Sequence, residues 1–133
     1  MPQDEDGFQS TKGNVQIFLR ELSEILNSKD YIFILFDRED KEEQYTNRYC
    51  LLELDYYKED VIKELKSLKV SNYYTTLKDE NNTIYNEYYY VFGKIIKKRM
   101  IYIKVKIQSM NNKQVLCMSF HFSKFEMTRF PYR

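Results

Sequence analysis

The chain has 133 residues, long enough to bury one hydrophobic core and too short for two. Hydrophobic residues make up 43% and charged residues 31%, the balance of a folded globular protein. The longest apolar run, Tyr31–Phe36, is too short to span a membrane.

The net charge of +1 hides a split along the chain. Residues 94–133 hold ten Lys or Arg against Glu126 alone, a net of +9. Residues 1–93 hold 11 basic and 19 acidic residues, a net of −8. A basic sheet on an acidic body points to a localised polyanion site; lysines that guard a solvated strand edge give the same pattern. The 13 tyrosines, with no tryptophan, suit half-buried faces and stacking surfaces. Cys50 and Cys117 have no CxxC spacing and no companion ligands, so they read as free thiols in a reducing compartment. The polar, acidic N-terminus carries no signal-peptide pattern, which predicts a cytoplasmic protein.

Residues 1–13 read as a flexible lead-in, and residues 14–133 as a single domain. Val15, Phe18, Leu22, Ile25 and Leu26 recur at three- and four-residue steps, which predicts an amphipathic helix capped by Asn14 and ending near Ser28. Tyr31–Phe36 reads as a buried strand and Asp37–Asn47 as a charged surface loop. Tyr49–Leu54 suits either a strand or a turn of helix. Lys58–Leu68 is helical, with Val61, Ile62, Leu65 and Leu68 in one stripe and Asp55 placed to cap it. Ser71-Asn-Tyr-Tyr opens a short turn, and Leu77–Thr83 is a loop. Tyr85–Phe92 is a tyrosine-rich strand, with Gly93 marking its end and Lys94–Arg99 forming the connection that follows.

The strongest signal comes last. In Met100–Lys106 and just beyond, Ile101, Ile103, Val105 and Ile107 alternate with Tyr102, Lys104 and Lys106. In Val115–Phe122, Leu116, Met118, Phe120 and Phe122 alternate with Cys117, Ser119 and His121. Period-two alternation sends each set to one face of a sheet, and matching the apolar faces fixes the parity of an antiparallel hairpin. Two registers satisfy it, one with Tyr102 opposite His121 and one with Tyr102 opposite Ser119. Either way Tyr102, Lys104, Lys106, Ser119 and the single histidine share a solvent-side patch. Lys124–Arg133 then packs across the sheet. The expected fold is an α+β two-layer sandwich, with two helices on one face of a three-stranded antiparallel meander and earlier strand material at an edge.

That patch bounds the chemistry. One histidine, two separated cysteines and no carboxylates do not make a zinc or two-metal ligand set, so neither metal nor cofactor is predicted. Gly-rich phosphate loops are absent, and Ser119 and His121 lack the sharp turn and orienting acid of a nucleophilic triad. Metal-independent RNA cleavage fits better. Attack of a ribose 2′-OH on the adjacent phosphate needs a base, an acid at the leaving 5′ oxygen and positive charge at the phosphorane oxygens. A histidine, a tyrosine hydroxyl and lysines supply these, and further tyrosines can stack unpaired bases.

Val91-Phe-Gly-Lys, Ile101-Tyr-Ile-Lys-Val-Lys-Ile, Cys117-Met-Ser-Phe-His-Phe and the terminal Phe130-Pro-Tyr together resemble the MqsR family of type II toxin–antitoxin toxins, in the branch that ends in Ser-Phe-His and Phe-Pro-Tyr. Leu51-Leu-Glu-Leu, Asp60–Leu68 and Asn72-Tyr-Tyr match in order, so the resemblance covers residues 14–133. It implies a RelE-like fold, mRNA cleavage without a metal, and an antitoxin carrying a zinc ribbon and a helix-turn-helix. It puts the catalytic tyrosine on Tyr102 and the family's second proton-handling group, a lysine elsewhere, on His121. Tyr89 stands where the family has glutamine, Thr75 where it has lysine and Lys124 where it has an acid; the Gly-Pro after the tyrosine pair is missing.

The expectation is therefore an mRNA interferase, a hydrolase with His121 and Tyr102 as acid–base groups. Lys104 and Lys106 would contact phosphate, with Lys94, Tyr89 and Ser119 as further RNA contacts. The alternative is a non-catalytic inhibitor on the same fold, carried by a mobile element and gripping RNA or a host nucleoprotein defence complex through its basic sheet.

Overall fold

The alternating C-terminal runs form the two longest strands of a five-stranded sheet. The structure, a computed structural model, describes residues 7–38, 42–81, 87–109 and 113–133. Its elements are α1 (Lys12–Leu26), β1 (Ile32–Leu35), α2 (Asn47–Leu54), α3 (Lys58–Lys66), β2 (Tyr73–Lys78), β3 (Tyr88–Ile96), β4 (Arg99–Ser109) and β5 (Lys113–Phe122). Single 3-10 turns lie at Glu43–Tyr45 and Val70–Asn72. The strand order is β1-β5-β4-β3-β2: an antiparallel meander from β2 to β5, with β1 added parallel to β5. Among the described residues no helix is long and apolar enough to cross a membrane.

The fold is mixed α+β. Val15, Phe18, Leu22 and Ile25 of α1, Cys50 and Leu54 of α2, and Val61 and Leu65 of α3 close a core against Phe92, Ile101, Ile103, Val105, Val115 and Phe120 of one sheet face. A second, smaller cluster on the other face joins Val91 and Tyr102 to Met127 and Phe130. The closing segment therefore does pack across the sheet.

Several local expectations change. Among the described residues there are three helices, because Tyr49–Leu54 resolves as α2, and the meander has four strands, because Tyr73–Lys78 is a strand instead of turn and loop. Thr11, not Asn14, caps α1: its side chain accepts the Asn14 N–H at 3.1 Å, satisfying one of the first-turn donors that have no partner inside the helix. Asp55 adopts φ 57° and closes α2, while Asp60 accepts the Tyr57 N–H at 2.8 Å to open α3. β1 is an edge strand with Ile32 and Ile34 exposed, so that apolar run is only half buried. The expected lead-in is fixed from Phe8 onward. Phe8 and Thr76 exchange two backbone hydrogen bonds of 2.9 Å, which occupy part of the open edge of β2. Residues 1–6, 39–41, 82–86 and 110–112, on which parts of the lead-in, loop and strand expectations fall, lie outside the described residues.

Gly93 does not end a strand. It lies inside β3 opposite Tyr102, and a Cβ there would stand 2.8 Å from Phe130 Cζ and 3.0 Å from Met127 Cε. The turn comes at Lys97 and Lys98, both left-handed at φ 50° and 70°, as a two-residue hairpin connection requires.

The hairpin register is the first of the two expected, with Tyr102 opposite His121 and Lys104 opposite Ser119. A β-bulge then inserts Met118 between partners, and the alternation of β5 inverts. Val115 and Cys117 enter the core, whereas Leu116 pairs with Lys106 on the other face, contrary to the uninterrupted pattern. Asn47 stabilises this irregularity. Its Nδ2 donates to Phe36 O (2.7 Å) and Met118 O (3.1 Å), and its Oδ1 accepts from Phe120 N (2.8 Å). Replacing Asn47 by alanine leaves three backbone groups without these partners and should cost about 2–3 kcal/mol, read as a lower urea midpoint with an unchanged m-value.

Candidate active site on the second sheet face

Because β4 and β5 pair in this register, Tyr102 and His121 stand side by side on the face away from the helices. Their rings stack with centroids 5.3 Å apart and planes 13° from parallel. His121 Nδ1 lies 2.9 Å from Phe122 O. A carbonyl only accepts, so Nδ1 carries a proton in this contact. Lys104 and Ser119 form the next cross-strand pair.

Beyond them lies a group the sequence did not announce. Lys106 Nζ bonds Asp79 (2.5 Å) and Glu87 (2.6 Å), and lies 5.4 Å from the centre of the Tyr89 ring. Lys104 Nζ approaches the same ring at 5.0 Å. Burial alone would raise the Asp79 carboxyl, but the hydrogen bond and charge of Lys106, with the Asn81 N–H, hold it below its ordinary 3.8. Burial alone would likewise lower the Lys106 ammonium, and the two carboxylates hold it above its ordinary 10.5. Burial pushes the Tyr89 phenol up, with the Asp79 charge adding to it.

The expected solvent-side patch is not exposed. Tyr102 is 2% accessible, His121 1%, Lys106 3% and Ser119 7%. Phe125, Met127 and Phe130 of the closing segment, with Tyr74 and Leu77 of β2, pack around Tyr102. Phe125 meets its ring edge-on at 6.1 Å. Lys104 remains half-buried.

Six of the seven anticipated residues thus share one face: Tyr102, His121, Lys104, Lys106, Ser119 and Tyr89. Lys94 does not join them. It pairs in register with Ile101, which puts it on the helix face, where Nζ bonds Glu64 (2.7 Å) and Ser67 Oγ (2.5 Å). Thr75, at the family's lysine position, donates to Phe8 O at 3.2 Å. Asp79 and Glu87 were missed because they lie 27 and 19 residues from Lys106 in sequence, one of them in a stretch read as loop. Gly93 did carry a signal: a glycine inside an apolar strand pattern marks close approach by another segment.

Among the described residues no group of three His, Cys, Asp or Glu is placed to hold a metal ion. The side chains that are present handle protons and negative charge. Searches of protein-family models, of curated proteins and of solved structures found no match to this chain.

Proposed function

We propose that the protein is a metal-independent endoribonuclease, an mRNA interferase toxin of a toxin–antitoxin pair with a RelE/MqsR-like fold, acting on cytoplasmic RNA. The observation that carries this reading is the stacked Tyr102–His121 pair, flanked by Lys104. With Nδ1 engaged by the Phe122 carbonyl, His121 takes the ribose 2′ proton at Nε2. The Tyr102 hydroxyl donates to the departing 5′ oxygen, and Lys104 offsets charge on the phosphorane. Lys106, already bonded to two carboxylates, acts by holding the Tyr89 wall of the site in place, not by gripping phosphate as first expected. The resemblance to MqsR toxins adds the protein partner, an antitoxin with a zinc ribbon and a helix-turn-helix.

One observation favours a second reading. His121 and Tyr102 are almost fully enclosed, as structural residues are, which suits a non-catalytic inhibitor that binds RNA or a host nucleoprotein complex. Induced expression separates the two. The nuclease arrests growth and leaves mRNA fragments ending in 2′,3′-cyclic phosphate, and purified protein cuts RNA in the presence of chelator but leaves a 2′-deoxy substrate intact. Normal growth with intact mRNA overturns the nuclease reading and directs the search to a bound nucleoprotein.

A further inference from the structure

We infer that residues 123–133 form a displaceable strap over Tyr102, the ring stacked on His121, and that the site admits RNA only when this strap lifts from the Gly93 slot. The need for it to open for catalysis rests on the nuclease reading; its packing over Tyr102 and its lack of a strand ladder do not.

The geometry is that of a band fastened at both ends. It leaves β5 at Ser123, whose N–H donates to Met100 O at 3.1 Å. It crosses the second face with Phe125 against Tyr102 and Tyr74, then seats Met127 and Phe130 over Gly93, the one position in β3 without a side chain to block them. It ends at Tyr132, which stacks on Tyr73 at 5.8 Å and donates to Ser10 O at 2.5 Å. Between these ends its backbone forms neither helix nor strand.

Two physical arguments make it a lid instead of a fixed wall. A general acid or base must come within about 3 Å of the atom it serves, and groups 1–2% accessible cannot meet a polynucleotide phosphate there. Segments held by side-chain packing, without a strand ladder, open at far lower cost than the sheet beneath them. When this one opens, the rings of Tyr74 and Tyr102, now edge-to-face with Phe130 and Phe125 respectively, become faces on which unpaired bases can stack. The lid thus uncovers the proton-transfer pair and a base-stacking platform together.

The test uses the single histidine as its reporter. Carbethoxylation of His121 by diethyl pyrocarbonate, followed by mass spectrometry, is compared in wild type, Gly93→Ala and Phe130→Ala, with global stability taken from urea unfolding of each. Wild type should react far more slowly than free imidazole. Both variants should react about tenfold faster than wild type, beyond any factor explained by their change in global stability. On RNA, the same variants should start cutting faster than wild type. A wild-type rate equal to free imidazole overturns the strap, and so do variant rates that rise only as far as global stability falls. Faster His121 modification with no RNA cut by any of the three proteins supports the strap and overturns the nuclease reading instead.

Discussion

His121→Asn should lower RNA cleavage by about 10²–10⁴-fold, the contribution typical of a positioned general acid or base, while the fold survives. The choice of asparagine matters because His121 is 1% accessible and its Nδ1 serves the Phe122 carbonyl. Alanine would remove that hydrogen bond and leave a void, so a loss of rate would be ambiguous. Asparagine keeps an N–H donor where Nδ1 stands and removes only the nitrogen that takes up the proton. Tyr102→Phe is the matching change on the other ring, since it preserves the 5.3 Å stack and deletes the hydroxyl. If both variants unfold at wild-type urea concentrations yet cut RNA poorly, the pair acts in the chemistry. If His121→Asn cuts at the wild-type rate, the proton passes through another group and the assignment of His121 fails. Rates should be measured in single-turnover mode, so that slow opening or product release does not conceal a slower chemical step.

Lys106→Met should be the most destabilising single change on this face, at about 3–5 kcal/mol, because it strands two carboxylates whose cation has gone. Lys106 is 3% accessible and Asp79 7%, so water does not replace the lost partner. The pH dependence follows from the two shifts. Asp79 has a folded-state value below 3.8, so its share of the stability is present above that value and is lost as pH falls through the lower, folded one. Lys106 has a folded-state value above 10.5, so its share is complete below 10.5 and is lost as pH rises through the higher one. Wild-type stability from this group should therefore hold flat across the neutral range. Lys106→Met should be weakest at neutral pH and recover toward wild type on acidification, as the stranded carboxyls protonate. Adding Asp79→Asn and Glu87→Gln to Lys106→Met should restore much of the loss at pH 7, because the buried charges are then gone together. A Lys106→Met protein as stable as wild type at pH 7 in urea titrations would show that the triad contributes nothing to the fold.

Where an element's evidence is local, the chain itself announces it. The apolar stripes of α1 and α3 recur every three or four residues, and the faces of β4 follow from strict alternation, so helices on one side of an antiparallel hairpin could be read directly. Matching those faces narrowed the hairpin to two registers, each with Tyr102 and His121 on one side. Short or mixed segments were less legible. α2 spans eight residues with only Asn47, Cys50 and Leu54 buried, too few to define a period. β2 begins with a bulge at Tyr74 and carries the polar pair Thr75 and Thr76, so its alternation is broken and tertiary contacts make it a strand.

Pattern reading of the amino-acid order thus determined the α+β class, the inward faces of α1, α3, β4 and the second half of β5, and the neighbourhood of Tyr102, His121 and Lys104, because helix and strand periods are properties of consecutive residues. Tertiary structure alone decided that Met118 bulges and inverts the near half of β5, that Asp79 and Glu87 converge on Lys106, and that the final residues cross the sheet through the Gly93 slot and pack over Tyr102. These features depend on groups 19 to more than 100 residues apart, such as Tyr132 and Ser10, whose meeting follows from how the layers pack and not from any local period.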